Sequence, residues 1–154
     1  MLFYTHLSLG ALFFVILYKI NPALANWKIL PFIFLGSILA DIDHANSKIN
    51  QWSGPIGKII VFFARHRGFF HSIFFGGIIF YLAYIMGYWI FGLGLFLGHL
   101  AHLIGDGLTP MGIHPFYPFS RYNLRGPIRT DSWKEKVFLV VLVLVILGLV
   151  IVRS

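Results

Sequence analysis

The segment Leu97-Gly98-His99-Leu100-Ala101-His102-Leu103-Ile104-Gly105-Asp106 constrains this chain most. It lies inside an apolar run from Ile90 to Gly107, long enough for a membrane-depth helix. Two imidazoles and a carboxylate fall at i, i+3 and i+7. On a helix, Asp106 stands about 20° from His99 and about 40° from His102, so all three share one face. Apolar surroundings tolerate such a face only when it turns inward, onto other helices or a functional partner. The segment therefore predicts a helical bundle, with a polar site where other elements meet this face.

Composition sets the medium. The 154 residues are 58% hydrophobic and 11% charged, with 17 phenylalanines. Soluble domains carry about 25% charge. A mean hydropathy of +0.84 agrees with a membrane protein. The absence of cysteine leaves only nitrogen and oxygen to hold a metal. The net charge of +7 would point to nucleic acid in a soluble chain. Here the basic residues sit in connecting segments, so membrane lipids are the expected partner and no nucleic acid is expected.

In chain order, Leu2 to Ile20 is apolar and carries Thr5 and His6 near its start. No Lys or Arg precedes Lys19, which favours a retained helix over a secretory signal. Asn21-Pro22 forms a turn, Trp27-Lys28 an interfacial anchor, and the apolar run Ile29 to Ala40 ends in Asp41-Ile42-Asp43-His44. That quartet reads as a hard-metal or zinc cluster, or as a solvated helix cap. Ile56 to Ala64 is too short to span and reads as a surface or re-entrant helix. It leads into Arg65-His66-Arg67-Gly68-Phe69-Phe70-His71-Ser72. His66 and His71 converge only if Gly68 breaks the helix between them.

Ile73 to Trp89 reads as a span, with Gly87 near its end. Gly92, Gly94 and Gly98 form a small-residue stripe suited to close helix packing. The 108–136 loop carries Arg121, Arg125 and Arg129 and suits a basic, headgroup-facing surface. Val137 to Val152 reads as a last apolar helix.

The expected fold is all-α: a single integral membrane domain over 1–154, a polytopic bundle of about five transmembrane or membrane-embedded helices plus the short surface helix. The five are 2–20, about 24–40, 70–88, 90–107 and 137–152. Counting crossings then puts every His and every acidic residue on one side. That side would also hold nine of the 12 basic residues. The positive-inside rule makes it cytoplasmic, together with the N-terminus.

The chain resembles the YdjM-like family of bacterial inner-membrane proteins. The matching pieces are Thr5-His6, Asp41-Ile42-Asp43-His44, His66-Arg67-Gly68-Phe69-Phe70-His71-Ser72, and Gly98 to Asp106 with Leu108-Thr109-Pro110 and Pro118-Phe119. Ala40 stands where the family usually has Pro, and Phe70 where it usually has Thr; neither change removes a ligand. The resemblance implies a membrane-bound, metal-dependent hydrolase distantly similar to zinc-dependent phospholipase C and P1-type nucleases, which share a His-x-x-x-Asp pair matched by His102 and Asp106. By that resemblance His6, Asp43, His71, His102 and Asp106 are the expected metal ligands. Asp41 and His66 follow, and His99 fits the geometry.

The expected cofactor is two or more divalent ions, zinc first and manganese second. The expected reaction is attack of metal-activated water on a phosphoester or other ester at the cytoplasmic membrane surface. Asp41 or His66 would accept the proton. Arg65, Arg67 and Arg121 would hold phosphate. The alternatives are a non-catalytic metal-binding scaffold and an ion or metal transporter.

Overall fold

The structure is a computed structural model that describes residues 1–63 and 67–152. Among the described residues it is all-α. The helices are α1 (Phe3–Ile20), α2 (Leu30–Leu39), α3 (Lys48–Trp52), α4 (Pro55–Phe63), α5 (Ile73–Ile85), α6 (Trp89–Gly107) and α7 (Trp133–Ile151). Tight 3-10 turns at Trp27–Ile29, Ala40–Asp43 and Phe69–His71 lead into or out of these helices. The loop after α6 is pinned by an isolated β-bridge between Ile113 and Leu124 and contains a cis Tyr117-Pro118 bond.

α6 is the central element, packed against α1, α2 and α5, while α1 also packs on α7. Leu9, Ala101 and Leu142 join α1, α6 and α7 in a buried apolar cluster. The glycine stripe sets the approach of α6 to its neighbours. A Cβ on Gly98 would collide with the carbonyl oxygen of Ile33, and one on Gly36 with that of Leu95. Only hydrogen at these two positions lets the α2 and α6 backbones touch.

The expectation of about five membrane-crossing helices is overturned. Among the described residues, α1 and α6 alone are long and apolar enough to cross a membrane. α2 has 10 residues and α5 has 13. They reach about 15 Å and 20 Å, against a hydrocarbon core of about 30 Å. Local chemistry explains the shortening. α2 begins only after the 27–29 turn, with Pro31 in its first turn, and yields at Ala40 to another 3-10 turn. Ser72 caps α5 through its hydroxyl at the Phe75 amide, and Gly87, at φ +81°, lies just past its end. α7 has 19 residues, but Lys134, Glu135 and Lys136 occupy its first turn. With the crossings recounted, a two-sided map built from five spans loses its basis. Any convergence of the polar groups has to be read from the packing itself. The expected short helix at 56–64 is α4, with Ile56, Ile59 and Phe62 exposed.

Candidate metal centre

Four of the residues singled out in the sequence meet at one point. Asp41 comes from the turn that ends α2, and His71 from the turn before α5. His102 and Asp106 come from α6, one helical turn apart. One ligand-type atom of each lies within 4.8 Å of all the others. The turn carrying Asp41 is held in shape from α3. Ser47 donates its hydroxyl to the Asp41 carbonyl (2.5 Å), and the Asn50 amide donates to the Ile42 carbonyl (2.6 Å). Gly68, at φ −88° and ψ −124°, stands immediately ahead of the turn that carries His71.

The spacings suit a small cation. His71 Nε2 and His102 Nε2 are 3.2 Å apart. Asp106 Oδ2 lies 3.5 Å from His71 Nε2 and 3.7 Å from His102 Nε2. Asp41 Oδ1 lies 3.8 and 3.7 Å from the same two nitrogens. Ligand atoms at the corners of a tetrahedral zinc site stand about 3.3 Å apart when each bond is 2.0–2.1 Å. The five edges therefore have about the size of a four-coordinate site.

The groups behind these atoms complete the pattern. His102 Nδ1 donates to the Ser37 carbonyl at 2.8 Å, which turns the Nε2 lone pair toward the cluster. His71 Nδ1 lies 3.4 Å from Asp43 Oδ2. An imidazole backed by a carbonyl or carboxylate is the usual arrangement of a metal-ligating histidine. Asp43 is thus placed behind His71 rather than among the four. Burial disfavours charge on His71, but the carboxylates of Asp106, Asp41 and Asp43 beside it outweigh that and raise its pKa to about 10. Burial also disfavours ionisation of Asp41, yet the His102 and His71 imidazoles hold its carboxyl below the usual carboxylate range. The pocket thus gathers negative charge around a point where positive charge is stabilised.

Other expected residues stand close by. His6 stacks on His102, with ring centres 3.9 Å apart and planes 14° from parallel. Its Nε2 is 3.5 Å from Asp106 Oδ1, and neither ring nitrogen makes a hydrogen bond. His99 is held outside the group of four: its Nε2 donates to the Ser72 carbonyl at 2.9 Å, tying α6 to the start of α5. Arg67 bridges several pieces. Nη2 lies 3.1 Å from Asp106 Oδ2, and Nη1 donates to Thr109 Oγ1 and the Gly112 carbonyl. Its backbone has φ +61°, a left-handed conformation that costs a non-glycine residue on the order of 1 kcal/mol. The Met1 amino group also contacts Asp106 Oδ1, at 2.6 Å. Arg65 and His66 lie outside the described residues.

A cavity of about 480 Å³ opens onto the cluster, with Asp41, Asp106, Arg67, His44 and Lys48 in its wall. A second, of about 580 Å³, shares Arg67 and contains Arg121, His114 and Tyr117. Arg121 is therefore near the site but does not touch the four.

Sequence reading missed Glu135. It is fully buried in the first turn of α7 and accepts from the Leu2 amide (2.7 Å), the Thr5 hydroxyl (3.0 Å) and the Asp131 amide (2.7 Å). It fastens the start of α1, one residue from His6. Ser132-Trp133-Lys134-Glu135 has the spacing of a helix capping box, a local signal that hid this long-range role.

These features define a class: a membrane protein, all-helical among the described residues, with a buried carboxylate–imidazole cluster built partly on a membrane-length helix. The chain belongs to the YdjM family of inner membrane proteins, whose family model matches residues 1–154. It is 37% identical over 119 residues to the inner membrane protein YdjM of Escherichia coli K12, and equally to that of Shigella flexneri. Each match covers 71% of this chain and 60% of the relative, so the chain spans less than two thirds of those proteins. An uncharacterized protein, YvsG, of Bacillus subtilis 168 is 34% identical over 109 residues, covering 68% of this chain and 67% of that protein. No solved structure matches the chain. Inner-membrane family and membrane-length helices agree, and such helices put the chain in contact with lipid.

Proposed function

We propose that the chain is a membrane-bound, metal-dependent hydrolase of phosphoesters. The observation that carries the reading is the set of four ligand-type atoms, five of their six spacings at 3.2–3.8 Å and all within 4.8 Å, backed at His102 by the Ser37 carbonyl. His71, His102 and Asp106 would hold the ion and leave a position beside Asp41 for water, with Asp43 orienting His71. A nitrogen and oxygen donor set of this size favours zinc, with manganese the next choice. Bound there, a divalent ion supplies Lewis acidity and makes a water acidic near neutral pH.

The chain's own residues supply the rest. Asp41, the most exposed of the four with 24% of its side chain accessible, lines the cavity and accepts the proton of the attacking water. The water oxygen forms a new bond to phosphorus, and the ester oxygen departs and takes a proton from solvent. Arg67 and Arg121 neutralise the phosphate oxygens. The hydrolase reading extends the resemblance of the His102-x-x-x-Asp106 spacing to that of zinc-dependent phospholipase C and P1-type nucleases.

We place the site at the cytoplasmic surface of the inner membrane. Lys48 lies over the rings of Phe3 and Tyr4 at the start of α1, and Arg67 pairs with Asp106, so basic groups gather at the site's end of the molecule. A second reading, a metal staple without catalysis, is favoured by the burial of His71, His102 and Asp106.

The deciding experiment is elemental analysis of untagged protein purified in mild detergent, beside His102→Ala and Asp106→Ala. One ion per chain, lost in both variants, fits the four-residue cluster. Two ions would require ligands beyond it, with His6 nearest. No bound metal after reconstitution would defeat both readings. Metal without turnover of any phosphoester would leave the staple.

A further inference from the structure

Beside the basic cavity lies an apolar groove of about 640 Å³, lined by Phe69, Phe74, Ile78, Tyr81, Phe96 and Phe119 among others. Residues adjacent in the chain line the two spaces at two places. Gly68 lines the cavity and Phe69 the groove; Tyr117 lines the cavity and Pro118 the groove. The shared wall is held by defined contacts. The Ile73 amide donates to the Pro115 carbonyl at 2.9 Å, and the Phe74 and Phe119 rings meet with centres 5.0 Å apart. His114 Nδ1 donates to the carbonyls of Arg121 and Tyr122, which fixes the loop that presents Arg121.

We propose that this face seats a phosphate-bearing lipid, its headgroup in the cavity at Arg67 and Arg121 and one acyl chain in the groove along α5. The inference names the substrate class of the hydrolase reading and rests on it for turnover, though not for binding.

Three observations select this occupant. The groove runs along α5 from Ile73 to Tyr81, about 12 Å of helix. α5 packs on α6, one of the two membrane-length helices among the described residues, so the groove lies beside the bilayer, where acyl chains are the abundant apolar molecule. The cavity that adjoins it through Gly68 and Tyr117 holds the cationic side chains of Arg67 and Arg121, a polarity that matches an anionic amphiphile. Arg67 adds a specific donor: its Nε is buried and makes no hydrogen bond, while its other nitrogens are engaged. Arg67 and Met111 also line the cavity over the cluster, so a headgroup at Arg67 lies next to Asp106 and Asp41.

Gly77 supplies the test, because it lines the groove and a Cβ there meets nothing within 4 Å. The zinc-loaded full chain in mild detergent is mixed with dioleoyl phosphatidic acid, dihexanoyl phosphatidic acid, dioleoylglycerol or inorganic phosphate. Native mass spectrometry counts the bound molecules, and zinc is measured in the same samples. The expected result is retention of the dioleoyl phosphatidic acid and weaker binding of the other three. Gly77→Trp should lose that lipid by about tenfold, equivalent to keeping roughly two methylene groups out of an apolar site, and keep its zinc. Arg121→Glu should lose the lipid as well.

Equal binding of inorganic phosphate overturns the proposal in favour of a free anion. Equal binding of dioleoylglycerol removes the headgroup part and overturns it too. Undiminished lipid on Gly77→Trp, or a dimer that Gly77→Trp dissociates, overturns it in favour of another site or a second copy in the groove. Lipid bound as expected to a protein that takes up no zinc sustains this proposal and defeats the hydrolase reading.

Discussion

His71 and His102 point their Nε2 atoms at each other across 3.2 Å, at the centre of the buried cluster. Two imidazole lone pairs at that distance repel unless a proton or a cation lies between or beside them. In the metal-free state a proton on His71, favoured by three surrounding carboxylates, meets that need. A divalent ion would meet it better, because it also satisfies Asp41 and Asp106. Zinc at roughly a hundredfold excess over its Kd should stabilise the protein by about 2.7 kcal/mol, a rise of several degrees in Tm. EDTA should reverse the rise, and His102→Ala should abolish it. Thermal unfolding in detergent, with and without metal, reads all three.

Gly98 controls the site from a distance. A side chain there would strike the Ile33 carbonyl and press on the Ser37 amide nitrogen at 2.7 Å, separating α2 from α6. The Ser37 carbonyl would then leave His102 Nδ1, the contact that orients the ring. Gly98→Ala should therefore lower stability by about 1–3 kcal/mol and also weaken metal affinity by about 10- to 100-fold. Gly77→Ala, which meets open space, should do neither. Tm and zinc titration on the two variants separate a packing effect from a general cost of replacing glycine.

What the sequence revealed follows from the range of the forces involved. α1 and α6 were legible to within a residue or two, because a long apolar run has few alternatives near a membrane. The face shared by His102 and Asp106 was legible from helical periodicity alone. The number of spans was not. Ser72, Pro31 and the 3-10 turn at Ala40–Asp43 shorten α2 and α5 below bilayer length, and apolar content outweighed these local signals in the reading. The division of labour among Asp41, Asp43 and His99 was also hidden. Which carboxylate faces the cluster and which stands behind His71 depends on the tilt of a four-residue turn. His99 and His102 sit on one buried face, yet different backbone carbonyls claim them, Ser72 for one and Ser37 for the other.

Glu135 should matter more than its place beside two lysines implies. Its two oxygens accept from Leu2, Thr5 and Asp131, with no exposure to water. Glu135→Ala strands those donors and should cost about 3 kcal/mol, while Glu135→Gln, which keeps one acceptor, should cost less. Because Leu2 and Thr5 flank the approach of His6 to Asp106, zinc affinity should fall along with stability. Chemical or thermal denaturation together with zinc titration checks both parts. An unchanged Tm for Glu135→Ala would show that these hydrogen bonds are replaced by water at no net cost.

Asp43 and Asp106 offer the sharpest contrast between a residue behind the proposed ligands and a proposed ligand itself. Asp43 Oδ2 stands 3.4 Å from His71 Nδ1 and also accepts from the Arg67 amide at 3.2 Å. Asp43→Asn keeps the shape and weakens the carboxylate–imidazole contact, so zinc should still bind, about 10- to 100-fold less tightly. Asp106 Oδ2 faces both cluster imidazoles, and Asp106→Asn replaces a charged oxygen donor with a neutral amide. Stoichiometric zinc should then be lost rather than weakened. A competition titration against a calibrated chelator measures both: a shifted but complete curve for Asp43→Asn and no saturable uptake for Asp106→Asn. The reverse outcome would move Asp43 into the metal's immediate surroundings and Asp106 out of them, and the four-residue geometry would have to be redrawn around His71.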